Sequence, residues 1–233
     1  MGCYRDNALA GCVQCTSNMA GKEGEHNVKK AAAEHHGPRK PIPKNPSRVL
    51  FYGVTGSGKS SAAHAYAAAS GLPEFSADDD IGWLPGWQQR TVEQQREIAA
   101  AVAARDRWVL DSAYGVWADI VVPRAELVVA LDYPRWLSLF RLVRRSLRRI
   151  ITRQPVCNGN VETLGRLVAR DSIFYWHFNS FARKKRVFRE WQSNPDMPPV
   201  MAFRWPGELD EWLAQVAAAA AATVRAPDDS GHP

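Results

Sequence analysis

The chain is short of cysteine and of long apolar runs, and each shortage excludes a class of protein. Four cysteines in 233 residues are too few for the disulfide framework of a secreted domain, so we expect the reducing cytoplasm. No run reaches the roughly 18 apolar residues of a transmembrane helix, so we expect no membrane partner. The hydrophobic fraction of 45% still allows one domain with a sizeable core.

The first residues carry two weak signals that lead to no site. Leu9–Cys12 reads "LAGC", like a lipoprotein cleavage site, but the basic start and apolar run of a secretory signal are missing. Cys12 and Cys15 form one CxxC without the second pair of a zinc finger. Together with the proline-rich "GPRKPIPKNPS", this composition predicts a disordered basic tail and linker over residues 1–46.

From Arg48 onward, apolar strands alternate with helical segments. This alternation predicts a three-layer α/β/α fold around a five-stranded, mainly parallel sheet, with ligands at the carboxyl ends of the strands. We expect this domain over residues 47–216, followed by an Ala-rich helix end and a disordered tail over 217–233. The predicted strands are RVLFYGV, LPEFSA, RWVLD, AELVVALD and PVMAFRW.

The segment "GVTGSGKS" matches the phosphate-binding pattern G-x-x-x-x-G-K-[ST], which defines the P-loop of this chain. Glycines let the backbone curl so that N–H groups point at phosphate oxygens, and the following helix adds its positive end. Lys59 would neutralise the β- and γ-phosphates, and the Ser60 hydroxyl would ligate Mg²⁺. The predicted ATP contacts are Gly53, Thr55, Gly56, Ser57, Gly58, Lys59, Ser60 and Ser61.

Two aspartates follow apolar strands and are candidates for the Mg²⁺ site. Asp111 ends "WVLD" and Asp132 ends "VVALD", so either could hold the ion directly or through water. The alternative for each is a strand-end aspartate that caps the next turn. Asp132 precedes a helix and favours the capping role, whereas Asp111 favours the metal site.

A basic helix is predicted after the fourth strand. Seven arginines lie between Arg135 and Arg153, and no acidic residue lies between Asp132 and Glu162. Arg141, Arg144, Arg145 and Arg148 are spaced to share one side, where they repel one another unless an anion is near. Phosphate binding is one interpretation, and a solvated basic face is the other.

The segment "ADDDIGWLPGW" combines three aspartates with two tryptophans. Its carboxylates could receive the proton of an acceptor hydroxyl or ligate a metal, and Trp83 and Trp87 could cover a base or a sugar. The alternative is a helix N-cap with a hydrophobic loop anchor.

These parts together resemble the adenylate-kinase-related P-loop kinases, most closely the bacterial group labelled DNA topology modulation proteins. The resemblance rests on GVTGSGKS, WLPGW, DRWVLDSAYG, LDYPRWLSLFRLVRRSLRR, FYWHF, RKKR and ELDEWL, spanning about Arg48 to Val216. It implies a nucleotide-kinase-like core, an acceptor region after the second strand and a small lid after the arginine-rich helix. It also implies that Lys59 contacts ATP, that Asp78 or Asp79 lies near the acceptor, and that Arg145 and Arg148 lie near phosphates, which makes these the candidate catalytic residues. Asp111 would lie near Mg²⁺ as a metal ligand.

Three functions are then compatible with the sequence. The favoured one is a kinase that moves the γ-phosphate of ATP to a nucleotide or another small acceptor. A nucleotide-dependent nucleic-acid-binding ATPase linked to DNA topology would use the arginine helix, "RKKR" and the basic tail, but no recognition domain is evident. A basic structural protein with a vestigial P-loop would not need Lys59 and Ser60.

Overall fold

The computed structural model describes residues 40–161 and 173–225. The chain divides into two units, Met1–His36 and Gly37–Pro233, and every described residue belongs to the second. The predicted tail, with its CxxC at Cys12 and Cys15, therefore lies almost entirely outside the described residues.

The centre of the described domain is a parallel sheet of five strands. In order across the sheet, the strands are Glu74–Phe75, Trp108–Leu110, Arg48–Gly53, Leu127–Leu131 and Val200–Phe203, and each neighbouring pair is parallel. The predicted α/β fold class with a five-stranded parallel sheet is confirmed. The strands of the domain are β1 (Arg48–Gly53), β2 (Glu74–Phe75), β3 (Trp83–Leu84), β4 (Gln88–Gln89), β5 (Trp108–Leu110), β6 (Leu127–Leu131), β7 (Pro155–Val156), β8 (Asn160–Val161) and β9 (Val200–Phe203).

Helices cover both faces of the sheet, so the strands are buried on two sides. Alternate residues of β1 feed separate cores: Leu50 packs on one face, and Val49 and Phe51 pack on the other. The helices are α1 (Lys59–Ser70), α2 (Val92–Ala103), α3 (Ala118–Val121), α4 (Arg135–Thr152), α5 (Ile173–Ser193) and α6 (Pro206–Arg225). None of these described helices has the length and apolar character needed to cross a bilayer.

Local sequence signals explain where the first two helices begin and end. Helix α1 ends at Gly71, whose φ of 66° is the left-handed conformation that glycine adopts without a Cβ clash. Helix α2 begins after Thr91, which forms a capping box with Gln94. By contrast, helix α4 has no side-chain cap, and Asp132 forms an ion pair with Lys185 at 2.7 Å. The predicted capping role of Asp132 is therefore wrong.

Two short hairpins interrupt the alternation of strands and helices, and the sequence did not predict either. The first, β3–β4, has its turn at Pro85–Trp87 and includes "WLPGW" and the two glutamines that follow it. The second, β7–β8, lies in the expected lid segment after α4. Strands of two residues carry too little periodicity to be recognised as strands.

Candidate active site

The P-loop joins the carboxyl end of β1 to the start of α1, and its glycines have backbone angles that the site requires. Gly56 and Gly58 have φ values of 83° and 95°, in the left-handed region. A Cβ on Gly56 would lie 2.4 Å from the carbonyl oxygen of Ser138 and 2.9 Å from the Cβ of Leu142. Helix α4 therefore packs directly against this loop, and only glycine fits between them.

The amino end of α1 is available to bind an anion. Its N-cap is Gly58, and no side chain caps the first turn. The first N–H groups of a helix have no partner within the helix, and they carry its positive partial charge. The N–H of Ser57 donates to the carbonyl oxygen of Val54 at 3.2 Å, which closes the turn below them. This arrangement has the donors and the charge that a phosphate needs.

Helix α5 holds the carbonyl side of the P-loop through two residues that the sequence analysis missed. His177 is fully buried, and its Nδ1 lies 3.0 Å from the carbonyl oxygen of Thr55. Because a carbonyl only accepts, Nδ1 carries the hydrogen, while burial lowers the pKa of the ring. Two turns later, Lys184 Nζ donates to the carbonyl oxygen of Gly53 at 3.3 Å. His177 and Lys184 are seven residues apart, which places them on the same face of the helix. This spacing was the signal in the sequence that could have linked them.

Lys59 and Asp111 lie together at the end of the P-loop. The Nζ of Lys59 donates to the carbonyl oxygen of Val54 at 3.2 Å. Burial lowers the pKa of Lys59, and the negative charges of Asp111 and Asp78 oppose that shift. The structure thus brings together the lysine and the strand-end aspartate that the sequence indicated separately.

The residues around Asp111 fit a magnesium ion. Asp111 is buried, its Oδ1 accepts a hydrogen bond from the N–H of Ala77 at 2.7 Å, and the Ser60 hydroxyl bonds to the same carboxylate. Burial raises the pKa of Asp111, and these hydrogen bonds and Lys59 oppose the increase. No described residues form a cage of three or more His, Cys, Asp or Glu. One carboxylate and one hydroxyl suit Mg²⁺, which keeps waters and substrate phosphates as its other ligands.

Asp78 is the acidic residue of "ADDD" that faces this centre. Tyr114 donates a hydrogen bond to its Oδ1, and burial, followed by the charge of Asp78, raises the pKa of Tyr114 well above its usual value. The charge of Asp78 also acts on Lys59 and on Lys184. A carboxylate oriented by a tyrosine can act as a proton acceptor, and the charge of this one reaches both lysines.

Asp79 and Asp80 both contact Ser76, and Asp79 also contacts the β7–β8 hairpin. The Oδ1 of Asp79 accepts the N–H of Asn158 at 2.7 Å, which joins it to the β7–β8 hairpin. The Oδ2 of Asp80 accepts the N–H of Ser76 at 2.6 Å, while the Ser76 hydroxyl accepts the N–H of Asp79. Part of this segment is therefore a capped helical turn, as the alternative interpretation expected. Asp78 therefore contacts Tyr114, whereas the carboxylates of Asp79 and Asp80 both contact Ser76 and that of Asp79 also contacts the hairpin.

Lys184 is a second lysine at the phosphate end of the site. Burial lowers its pKa to about 7, the positive charge of Lys59 adds to this shift, and Asp78 opposes it. Its neighbour Lys185 pairs with Asp132 and lies near the ring of Phe181. Both lysines of "RKKR" thus make contacts within the domain.

Two arginines of α4 face the P-loop. Arg141 donates to the carbonyl oxygen of Ser57 at 3.2 Å, and its guanidinium lies 5.4 Å from the ring centre of Tyr133. Arg145 lies close enough to lower the pKa of Lys59. Guanidinium groups in this position can contact the oxygens of a phosphate held by the loop.

Arg144 and Arg148 are placed differently. Both are exposed, and they border a groove along the outer face of α4. The four arginines expected to share one side are therefore divided between the P-loop and the outer face. The other residues that line the groove are Phe140, Val143, Leu147, Ile151 and Thr152.

Comparisons with known proteins give a likeness of shape and no relative in sequence. No family model matches the chain. No curated protein matches it in sequence. Solved structures overlap with most of the chain, and the three described next are kinases.

A gluconokinase from Sinorhizobium meliloti 1021 is 18% identical, with a TM-score of 0.44, over 78% of this chain and 95% of that one. A shikimate kinase from Acinetobacter baumannii, in complex with shikimate, is 14% identical, with a TM-score of 0.46, over 77% and 96%. A deoxyadenosine kinase from M. mycoides with bound dCTP is 9% identical, with a TM-score of 0.42, over 73% and 98%. At such low identities and TM-scores these likenesses carry no weight for function.

Proposed function

We propose that this protein is an ATP-dependent phosphotransferase that moves the γ-phosphate of ATP to a small acceptor. The observation that supports the proposal most is the position of Asp78. Its carboxylate, held by Tyr114, lies within electrostatic reach of Lys59, Lys184 and Asp111. A nucleotide-binding protein that only switches between states needs the P-loop, but it does not need a second carboxylate beside the phosphates.

The residues take separate roles in the transfer. The P-loop and the amino end of α1 bind the phosphates, and Lys59 neutralises their terminal charge. Asp78 accepts the proton of the acceptor hydroxyl as that oxygen forms its bond to the γ-phosphorus and the bond to ADP breaks. Arg145 and Lys184 stabilise the charge that spreads over the transferred group.

Magnesium would be held by Asp111 and the hydroxyl of Ser60, and it would neutralise charge on the phosphates when bound. Burial of Asp111 beside Ser60 supports this assignment. The cysteine content supports a cytoplasmic location. The motifs named above support a place in the group labelled DNA topology modulation proteins, with the acceptor either a nucleotide or another small molecule.

The experiment is ATP turnover with a panel of acceptors, followed by the mass of the product. The panel should contain nucleoside monophosphates, nucleosides, sugar acids and hydroxy acids. We expect one class to gain the mass of a phosphoryl group, and we expect that gain to be lost in the Asp78→Asn variant. ATP hydrolysis that no acceptor changes, but that duplex DNA accelerates, would contradict the proposal and favour the nucleic-acid-binding ATPase.

A further inference from the structure

The tip of the β7–β8 hairpin is joined to the aspartate–tryptophan segment, residues 79–87, by Asn158. The side-chain Nδ2 of Asn158 donates to the carbonyl oxygens of Asp79 and Trp83, at 2.6 Å each. Its backbone N–H donates to Oδ1 of Asp79 at 2.7 Å. One residue of the hairpin therefore makes three hydrogen bonds to a segment about 75 positions earlier in the chain.

Asn160 makes the second connection and is almost fully buried, with 4% of its surface exposed. Its Oδ1 accepts the N–H of Trp87 at 2.7 Å, and its Nδ2 donates to the carbonyl oxygen of Leu84 at 3.2 Å. These two groups flank the turn of the β3–β4 hairpin. Asn160 thus satisfies backbone groups that the short turn leaves open.

Both connected turns have unusual backbone angles. In the β7–β8 tip, Cys157, Asn158 and Gly159 all have positive φ, and in the β3–β4 turn Gly86 and Trp87 do. Left-handed angles at residues other than glycine carry an energetic cost. The hydrogen bonds between the two tips offset this cost and stabilise both turns.

The position of these contacts separates the hairpin from the phosphate end of the site. The side-chain hydrogen bonds of Asn158 and Asn160 reach residues 79–87 and the hairpin's own Cys157, and none of them reaches the P-loop. Asp79 is also the immediate neighbour of Asp78. The hairpin is therefore fastened over the residues that would hold the acceptor.

We propose that Asn158 and Asn160 are positioning residues that fasten the β7–β8 hairpin to residues 79–87, so that the hairpin gates the acceptor and not ATP. The role of the hairpin in acceptor entry rests on the proposed function, because it assumes that residues 78–87 bind the acceptor. The acceptor reaches Asp78 only when the two tips separate, and their closing orders the segment around it.

The test is hydrogen exchange of the full chain, read by mass spectrometry on peptides covering residues 79–90 and 153–161. The variants are Asn158→Gly, which keeps the left-handed angle and removes the side chain, and Asn160→Ala. Gln154→Ala, at an exposed position at the base of the same hairpin, is the matched control. Each protein is measured alone and with Mg²⁺ and a non-hydrolysable ATP analogue, and alkylation of Cys157 by iodoacetamide is measured on the same samples.

We expect both asparagine variants to exchange faster in the two peptides, on the order of tenfold for the loss of two hydrogen bonds. Cys157 should be alkylated faster as well, while β1 and β6 keep their protection and the control matches the parent. The ATP analogue alone should leave both peptides of the parent unchanged. Turnover with the acceptor found in the panel should show a raised KM for that acceptor, with kcat and the KM for ATP close to normal.

Three results would overturn the inference. Both variants could keep the protection of residues 79–90, the analogue alone could change the hairpin as much as the variants do, or both variants could lose the protection of β1 and β6. A gate can be released without unfolding the core, so the last result would make the asparagines merely structural. The exchange measurements do not depend on phosphoryl transfer. If no acceptor in the panel is phosphorylated, the proposed function is contradicted, but the exchange data still test whether the asparagines fasten the hairpin.

Discussion

The two ends of the candidate site are held by different means. At the phosphate end, glycine angles, a helix terminus and packed backbone form the P-loop, and Gly56 leaves no room for a side chain beside α4. At the other end, two asparagine side chains join short hairpins that are about 75 residues apart in sequence. The phosphate end is formed by packed backbone, whereas the acceptor end depends on a few side-chain hydrogen bonds that can break and form again.

This difference agrees with the two tasks of a phosphotransferase. Every turnover uses the same triphosphate, so its site gains from being fixed in advance. The acceptor must enter and leave, and water must be kept out while it reacts, so that side needs a reversible closure. Substitutions at the two ends should therefore have different kinds of effect.

The largest effect is expected at Lys59. Lys59→Ala should lower turnover by more than about 10³-fold, the scale for losing a charge that stabilises phosphoryl transfer. Binding of Mg-ATP, measured by titration calorimetry, should fall below detection while the circular dichroism spectrum is retained. Lys44→Ala, at an exposed lysine outside the site, is the control. If Lys59→Ala binds Mg-ATP as the parent does, the phosphate-binding role of the loop is wrong.

A loss of about 10²–10⁴-fold in kcat is expected for Asp78→Asn, because the proton acceptor is removed. Asp79→Asn should instead raise the KM for the acceptor, since Asp79 contacts the hairpin and not the phosphate end. Steady-state kinetics of both variants decides between them. Equal losses of kcat would show that the two carboxylates are not divided as proposed.

Arg145→Ala should lower kcat by about 10²–10³-fold with little change in the KM for ATP, because its contact strengthens in the transition state. Arg148 is exposed, so Arg148→Ala should cost less than Arg145→Ala. Arg144→Ala, exposed on the same helix, is the control. Single-turnover transfer and DNA affinity should both be measured over a range of salt. Normal turnover with a weaker salt dependence of DNA binding would favour the nucleic-acid function.

Gly56→Ala tests the packing of α4 on the P-loop through its effect on protein stability. The added methyl group meets Ser138 and Leu142, and the backbone angle disfavours any side chain, so the free energy of unfolding should fall by about 3 kcal/mol. Gly207→Ala is the matched control, since its added Cβ has no neighbour within 4 Å. Urea denaturation of both variants gives the comparison. An unchanged midpoint for Gly56→Ala would mean that α4 does not pack on the loop.

The smallest expected effect is the uptake of a proton when Mg-ATP binds. Because the pKa of Lys184 is lowered to about 7 by burial, its amine is largely neutral at pH 8. Bound phosphates favour its charged form, so Mg-ATP binding should take up at most about one proton at pH 8 and almost none at pH 6, where Lys184 is already protonated. Calorimetry in buffers of different ionisation enthalpy measures this uptake, and Lys184→Met should remove most of it.

The sequence indicated the residues of the phosphate end but not the contacts of the acceptor end, for a physical reason. The P-loop, the core strands and Asp111 depend on local signals: glycines at fixed spacing, apolar runs and a strand end. The contacts of Asn158, Asn160, His177 and Lys184 join residues far apart in the chain. The spacing of His177 and Lys184 places those two on one face of a helix, but no local pattern indicates the partners of any of the four. The predicted cap at Asp132 failed for the same reason, because its partner Lys185 comes from a distant helix.

The long separation of these contacts has a consequence for synthesis of the chain on the ribosome. The P-loop leaves the ribosome early, but the carbonyl oxygens of Thr55 and Gly53 meet His177 and Lys184 only after another 122 and 131 residues. At roughly 5–20 residues per second, that delay lasts several seconds or more. The nucleotide motif is thus among the first parts of the domain to be made, and its binding site is among the last to be completed.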